Sequence, residues 1–88
     1  MANIFKYRPE EIFIEDQEHN KVAYITFPKT SEGNYCIDHT FVDESMRGQG
    51  LAEELVHRAI TYIHNKKAKA SATCTYAKSY MEKNGINE

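Results

Sequence analysis

Three features of this 88-residue chain are chemically suggestive: Cys74, His39 and the run Arg47-Gly48-Gln49-Gly50. A thiol close to an imidazole can take up an acyl group, the imidazole acting as base. Two glycines packed just ahead of a helix leave its first backbone N–H groups without a side-chain cap. Those amides, at the positive end of the helix dipole and beside Arg47, suit an anion such as phosphate. A plain strand-to-helix turn, its amides met by water, fits the same residues equally well. The chain has only two other glycines, and the nearest strong capping residue, Ser45, lies several positions upstream. Neither common phosphate motif fits. G-x-G-x-x-G would need glycine at Glu53, and a P-loop would need Lys-Ser/Thr where Leu51-Ala52 follow Gly50.

The alternatives for the other groups are structural. Free cysteine is often inert packing, although Cys74 falls between a strand and a helix, a setting that lowers a thiol pKa. His39 alternates with Tyr35, Ile37 and Phe41, so it reads either as a base or as a histidine at the edge of the core. Metal binding is excluded for two pairs. Cys36 and His39 point to opposite faces of a strand, and His57 and His64 lie about 10 Å apart along a helix. No metal is expected.

The elements that must hold these groups follow from periodicity. Residues 10 to 16, 21 to 27 and 35 to 42 read as three strands joined by polar turns, an antiparallel meander. In the first, Ile12 and Ile14 share one face and Phe13 takes the other. Leu51, Ala52, Leu55, Val56, Ala59, Ile60 and Ile63 then form a helical apolar stripe, opposite Glu53, Glu54, His57, Arg58 and Thr61. Glu54 and Arg58 are spaced as an i, i+4 pair. Residues 69 to 76 read as a short buried strand and 77 to 85 as a final helix stopped by Gly85. Strand, helix and strand over residues 35 to 76 make a βαβ unit with parallel strands and a right-handed crossover. The glycine turn then sits at the carboxyl end of its first strand, where open α/β sheets bind ligands.

Composition bounds the answer. The length gives one domain, residues 1 to 88, and the 41% hydrophobic and 27% charged content is that of a soluble globular protein. A net charge of −2 argues against a nucleic-acid binder that relies on a basic surface. No apolar run is long enough for a membrane span, no signal-peptide core is present, and two cysteines do not make a disulfide framework. A reduced, cytoplasmic protein is expected. Its oligomeric state is left open, a monomer being compatible.

Arg47, Gly50 and Ala52 match Q/R-x-x-G-x-G/A, and Val42, Gly48, Leu51 and Leu55 extend the match on both sides. This pattern resembles the acyl-CoA motif of the GNAT N-acetyltransferase superfamily. The resemblance implies an α/β (α+β) fold: a mainly antiparallel sheet of about four strands, a βαβ unit splayed around an acyl-CoA slot, and two helices. It implies that Arg47, Gly48, Gln49, Gly50, Leu51 and Ala52 hold the CoA pyrophosphate, and that Thr40, Phe41 and Val42 pair with the pantetheine arm. Backbone N–H groups near residues 41 and 42 would support the oxyanion.

A second stretch, through Ala77, Glu82, Lys83, Gly85 and Ile86, is similar to the superfamily's C-terminal motif but departs from it twice. Cys74 replaces an asparagine, and Met81 replaces the tyrosine that usually protonates the leaving CoA thiolate. Tyr76 is one candidate for that role. Tyr80 is the other, although it is turned about 100° from position 81. Cys-Tyr here, with a histidine ahead of the glycine turn, is similar to compact single-domain GNAT-like proteins. Those lack the first strand and two helices that help to wall the acceptor site. The resemblance spans about residues 10 to 86. It implies transfer of an acetyl group from acetyl-CoA to an unidentified amine, directly or through Cys74 with His39 as base. A non-catalytic acyl-CoA binding or sensing module is the alternative.

Overall fold

A computed structural model describes residues 4–85; Ile86, part of the second motif, lies outside them. The first three strands are β1 (Lys6–Arg8), β2 (Glu11–Glu15) and β3 (Lys21–Thr26). Then come β4 (Tyr35–Ile37), β5 (His39–Val42), one 3-10 turn at Glu44–Met46, and α1 (Leu51–Asn65). The short strand β6 (Ala70–Ala72) and α2 (Thr75–Lys83) follow. An antiparallel sheet has the order β1-β2-β3-β5, and a separate parallel pair joins β4 to β6. The α+β architecture and the parallel pair around a helical crossover agree with the sequence reading.

Residues 35 to 42 depart from it, because they are two strands rather than one. Tyr35, Cys36 and Ile37 pair with Ala70, Ser71 and Ala72, whereas His39 to Val42 pair with Thr26 to Ala23. The chain changes partner at Asp38, whose N–H donates to the Thr26 carbonyl at 3.2 Å. Thr26 Oγ1 also donates to the Asp38 carboxylate. β1 was not anticipated either, since a three-residue polar strand carries no periodicity. It adds to the β2 edge with Tyr7 opposite Ile12.

Alternation sorts the main sheet into two faces. Ile12, Ile14, Ala23 and Ile25 are buried against Leu55, Val56, Ala59, Ile60 and Ile63 of α1 in a single core. Phe13, Tyr24 and Phe41 stand in register on the other face, which no described helix covers. Phe13 is buried there outside the main core, under Arg8 and Lys21. The apolar stripe of α1 matches the expected one, except that Ala52 is only half-buried.

Leu55 is fully buried at the centre of the α1 stripe. Leu55→Ala should therefore cost about 2–5 kcal/mol in urea unfolding, while Thr61→Ala on the exposed face should stay within about 0.5 kcal/mol. Equal effects from the two variants would contradict this placement of the helix.

Candidate active site

The start of α1 is built without a side-chain cap. Its N-cap residue, Gly50, sits at φ 73°, ψ 18° and makes no capping hydrogen bond. Gly48 is also left-handed, at φ 85°. No atom lies within 4 Å of where a Cβ would stand at either glycine, so backbone conformation, not space, requires them. The upstream cappers serve another turn. Asp43 accepts from the Ser45 N–H at 3.0 Å and from its hydroxyl at 2.6 Å, closing the 3-10 turn. Those two bonds hold the Asp43 carboxyl below its ordinary range, against a small opposing effect of burial. Arg47 folds back, its Nε donating to the Val42 carbonyl at 3.2 Å.

That carbonyl lies on the free edge of β5. Asp43 N–H donates to the Val22 carbonyl at 2.7 Å, which fixes the ladder's alternation. Phe41 therefore turns its backbone groups toward β3, while Thr40 and Val42 turn theirs toward the gap between β5 and β6. Of the two amides expected to support an oxyanion, only that of Val42 faces the gap. Similarly, Thr40 and Val42, rather than Phe41, can pair with an extended arm lying there.

Cys74 stands across this gap. Its N–H and that of Thr73 both donate to the Ile37 carbonyl, at 3.2 and 3.0 Å, which places it as the N-cap residue of α2. Its Sγ lies 3.6 Å from Thr40 Oγ1. Burial pushes the thiol pKa up, but the Ala77 and Tyr76 amides at the helix start and the Thr40 hydroxyl and N–H outweigh it. The net result lies below the ordinary thiol value. The sulfur closes no capping bond, so the amides act as aligned dipoles facing it.

His39 does not join this pair. It was expected to share a face with Tyr35, Ile37 and Phe41, but the break at Asp38 separates it from the first two, which are buried. It is exposed and stacks on Tyr24, with ring centroids 5.5 Å apart, on the sheet face opposite to Thr40. Tyr76 lies elsewhere again. With Glu53, Tyr80 and Lys83 it lines a cavity of about 240 Å³ between α1 and α2. Burial, then the Glu53 charge and Tyr80, push its hydroxyl pKa up, so it remains a proton donor. A second cleft, of about 380 Å³, runs from Gly50 past Glu53 to Tyr80 and meets the first. Both tyrosine candidates thus line one groove that begins at the glycine turn, whereas Met81 is buried. Sequence reasoning missed Thr40 as the thiol's partner, because only the strand pairing brings the two together. Among the described residues no cluster suits a metal ion, and no helix is long and apolar enough to cross a membrane.

Comparison with known proteins gives this geometry a context. A family model described as GCN5-related N-acetyl-transferase matches residues 11–87. A GCN5-like proposed N-acetyltransferase from Staphylococcus aureus has a similar structure, with a TM-score of 0.75 and 30% identity, over 96% of this chain and 83% of that one. A proposed streptothricin acetyltransferase from Bacillus anthracis, solved with acetyl coenzyme A, shares the fold at a TM-score of 0.60 and 17% identity. That match covers 86% of this chain and 47% of the other. Protein NATD1 of Xenopus tropicalis is 33% identical over 64 residues, which are 73% of this chain but only 59% of that relative.

The lowered Cys74 pKa has a direct consequence for reactivity. Its thiolate fraction, and so its alkylation by iodoacetamide, should reach half-maximum at a lower pH than that of an unperturbed cysteine. Thr40→Val removes the hydroxyl and should move that midpoint upward. Following Cys74 alkylation against pH in a Cys36→Ser background measures both. A midpoint at or above the ordinary value would contradict the geometry.

Proposed function

Because the chain belongs to the GCN5-related N-acetyltransferase family, we propose that it binds acetyl-CoA and transfers the acetyl group to an amine. The observation that carries this reading is the uncapped start of α1, two left-handed glycines placed at the end of a free strand edge. The amides of residues 48 to 52 would take the pyrophosphate, so that the ligand replaces the missing cap. From there an extended pantetheine arm runs back along β5, against the backbone of Thr40 and Val42. Its thioester end then comes beside Thr40 and Cys74. The acetyl-CoA complex of the Bacillus anthracis protein, which shares the fold, supports this choice of ligand.

Transfer follows one of two routes. In the first, a neutral amine attacks the thioester carbonyl, with the Val42 N–H positioned to stabilise the oxyanion. The C–S bond breaks, the CoA thiolate leaves, and the proton shed by the amine compensates it. In the second, the Cys74 thiolate attacks first, giving an acetylated cysteine and free CoA thiolate. The amine then attacks that new thioester and returns the thiol. Tyr76 and Tyr80, which line the separate groove beginning at the glycine turn, are the tyrosine candidates to protonate the leaving thiolate. His39, turned to the other face, has no place in this proton path. A binding module without turnover is favoured by one observation, the burial of Met81 where the superfamily has its tyrosine.

Titration of isotope-labelled protein with CoA, read by amide NMR, tests the site. The Gly48 and Gly50 amides should shift most. Gly50→Glu should weaken binding at least about tenfold by placing a carboxylate beside the pyrophosphate. Unmoved glycine amides at millimolar CoA would overturn the reading. Intact mass after acetyl-CoA treatment separates the routes, a single acetyl gain lost in Cys74→Ala marking the covalent one. CoA binding without release of thiol to any amine leaves the binding module.

A further inference from the structure

The helix-free face of the main sheet carries aromatic side chains aligned across three strands. Phe13 of β2, Tyr24 of β3 and Phe41 of β5 are register partners. Phe41 and His39 both stack on Tyr24, with centroids 5.3 and 5.5 Å away. The protein's own cations already use one end of this row. Arg8 lies 4.6 Å and Lys21 4.9 Å from the Phe13 ring, and Lys21 is 6.0 Å from Tyr24. Among the described residues no cation lies over Phe41 or His39, the end that belongs to β5.

That end also borders the gap. His39 and Phe41 flank Thr40 along one strand and point to the face opposite its side chain. The helices pack on the Thr40 side, so an acceptor reaching the thioester over the β5 edge would cross the open face and pass these rings. Asp38, exposed at the break between β4 and β5, places a carboxylate at the same end. Thr26 binds one of its oxygens, Oδ1, and so orients the group.

We propose that Tyr24, His39, Phe41 and Asp38 form an acceptor shelf selecting an amine that carries a second cationic group on a short aliphatic chain. The shelf rests on the acetyl-transfer reading for its role, and on the aromatic row alone for its binding chemistry. The reacting nitrogen projects over the β5 edge toward Thr40. The second, charged nitrogen stays behind over the outer face of the Phe41 ring, which Tyr24 backs from the β3 side, and is drawn to that face and to Asp38. The aliphatic chain spans the width of one strand, about 5 Å. Lys21 and Arg8 are intramolecular instances of the same contact, made where the chain's own cations reach.

The test uses 1,5-diaminopentane and pentylamine as probes, titrated into labelled protein and followed by NMR at Tyr24, His39 and Phe41. One exposed cation–aromatic contact corresponds to about two- to fivefold in affinity, so the diamine should bind tighter than the monoamine by at least that factor. Asp38→Asn, which keeps the oxygen that Thr26 binds, should reduce the preference, and Phe41→Leu should remove most of it. An unchanged spectrum elsewhere shows that both variants fold. Equal affinity for the two amines, shifts centred away from these residues, or a preference that survives both substitutions would overturn the shelf. Failure of the CoA reading registers separately, as unmoved Gly48 and Gly50 amides, and leaves the diamine result readable.

Discussion

One carbonyl group organises the region around the gap. The Ile37 carbonyl accepts from both Thr73 and Cys74, closing the β4–β6 pair and setting the N-cap of α2. At the next residue the chain must leave that pair, because Asp38 donates to Thr26 and starts the pairing of β5 with β3. Buried backbone groups are not left unpaired, and here one continuous segment meets that demand with two different sheets. Two strands that would otherwise lie side by side, β5 and β6, are thereby held apart. The resulting gap exposes the backbone of Thr40 and Val42 along one edge and brings the Cys74 sulfur to the other.

The second constraint acts at the far end of β5. α1 buries Leu51, Leu55, Val56, Ala59, Ile60 and Ile63, so its direction and rotation are fixed by the core rather than by its first turn. The turn is then free to be shaped for something other than stability. Left-handed backbone costs an ordinary residue on the order of 1 kcal/mol, and two glycines avoid that cost. Asp43 and Ser45, which could have capped a helix, are committed to the 3-10 turn one step earlier. Arg47 ties the loop to the last carbonyl of β5. An uncapped dipole at the end of an unpaired strand edge is a combination the core pays nothing to keep, since neither glycine meets a neighbour.

What could be read from the sequence was what depends on local periodicity. The stripe of α1, the strands at β2 and β3, and the parallel pair around a helical crossover all follow from spacing that a short window displays. The change of partner at Asp38 does not, because periodicity reports which way a side chain points and not which strand lies beside it. For the same reason His39 read as a neighbour of Ile37 on a buried face, although it is exposed and stacks on Tyr24. Asp38, an acidic residue in the middle of the run from Tyr35 to Val42, was the local sign of the break. β1 was unreadable because Lys6–Arg8 contains too few residues to show a pattern. The approach of Cys74 to Thr40 joins positions far apart in the chain and becomes visible only once the pairing is known.

The separation of His39 from Cys74 changes what the thiol needs. A cysteine paired with histidine is ionised by proton transfer to the ring, so its reactivity follows the state of a second group. Cys74 is placed differently, at the N-cap of a helix, with the amides of Tyr76 and Ala77 and the Thr40 hydroxyl favouring the anion against burial. Those groups are fixed by the fold and do not titrate over the physiological range. The thiol pKa is therefore lowered by the first amides of α2 and by Thr40, without a dedicated base. The imidazole is left on the open face, among aromatic rings, where it can meet what approaches the gap rather than what lies within it.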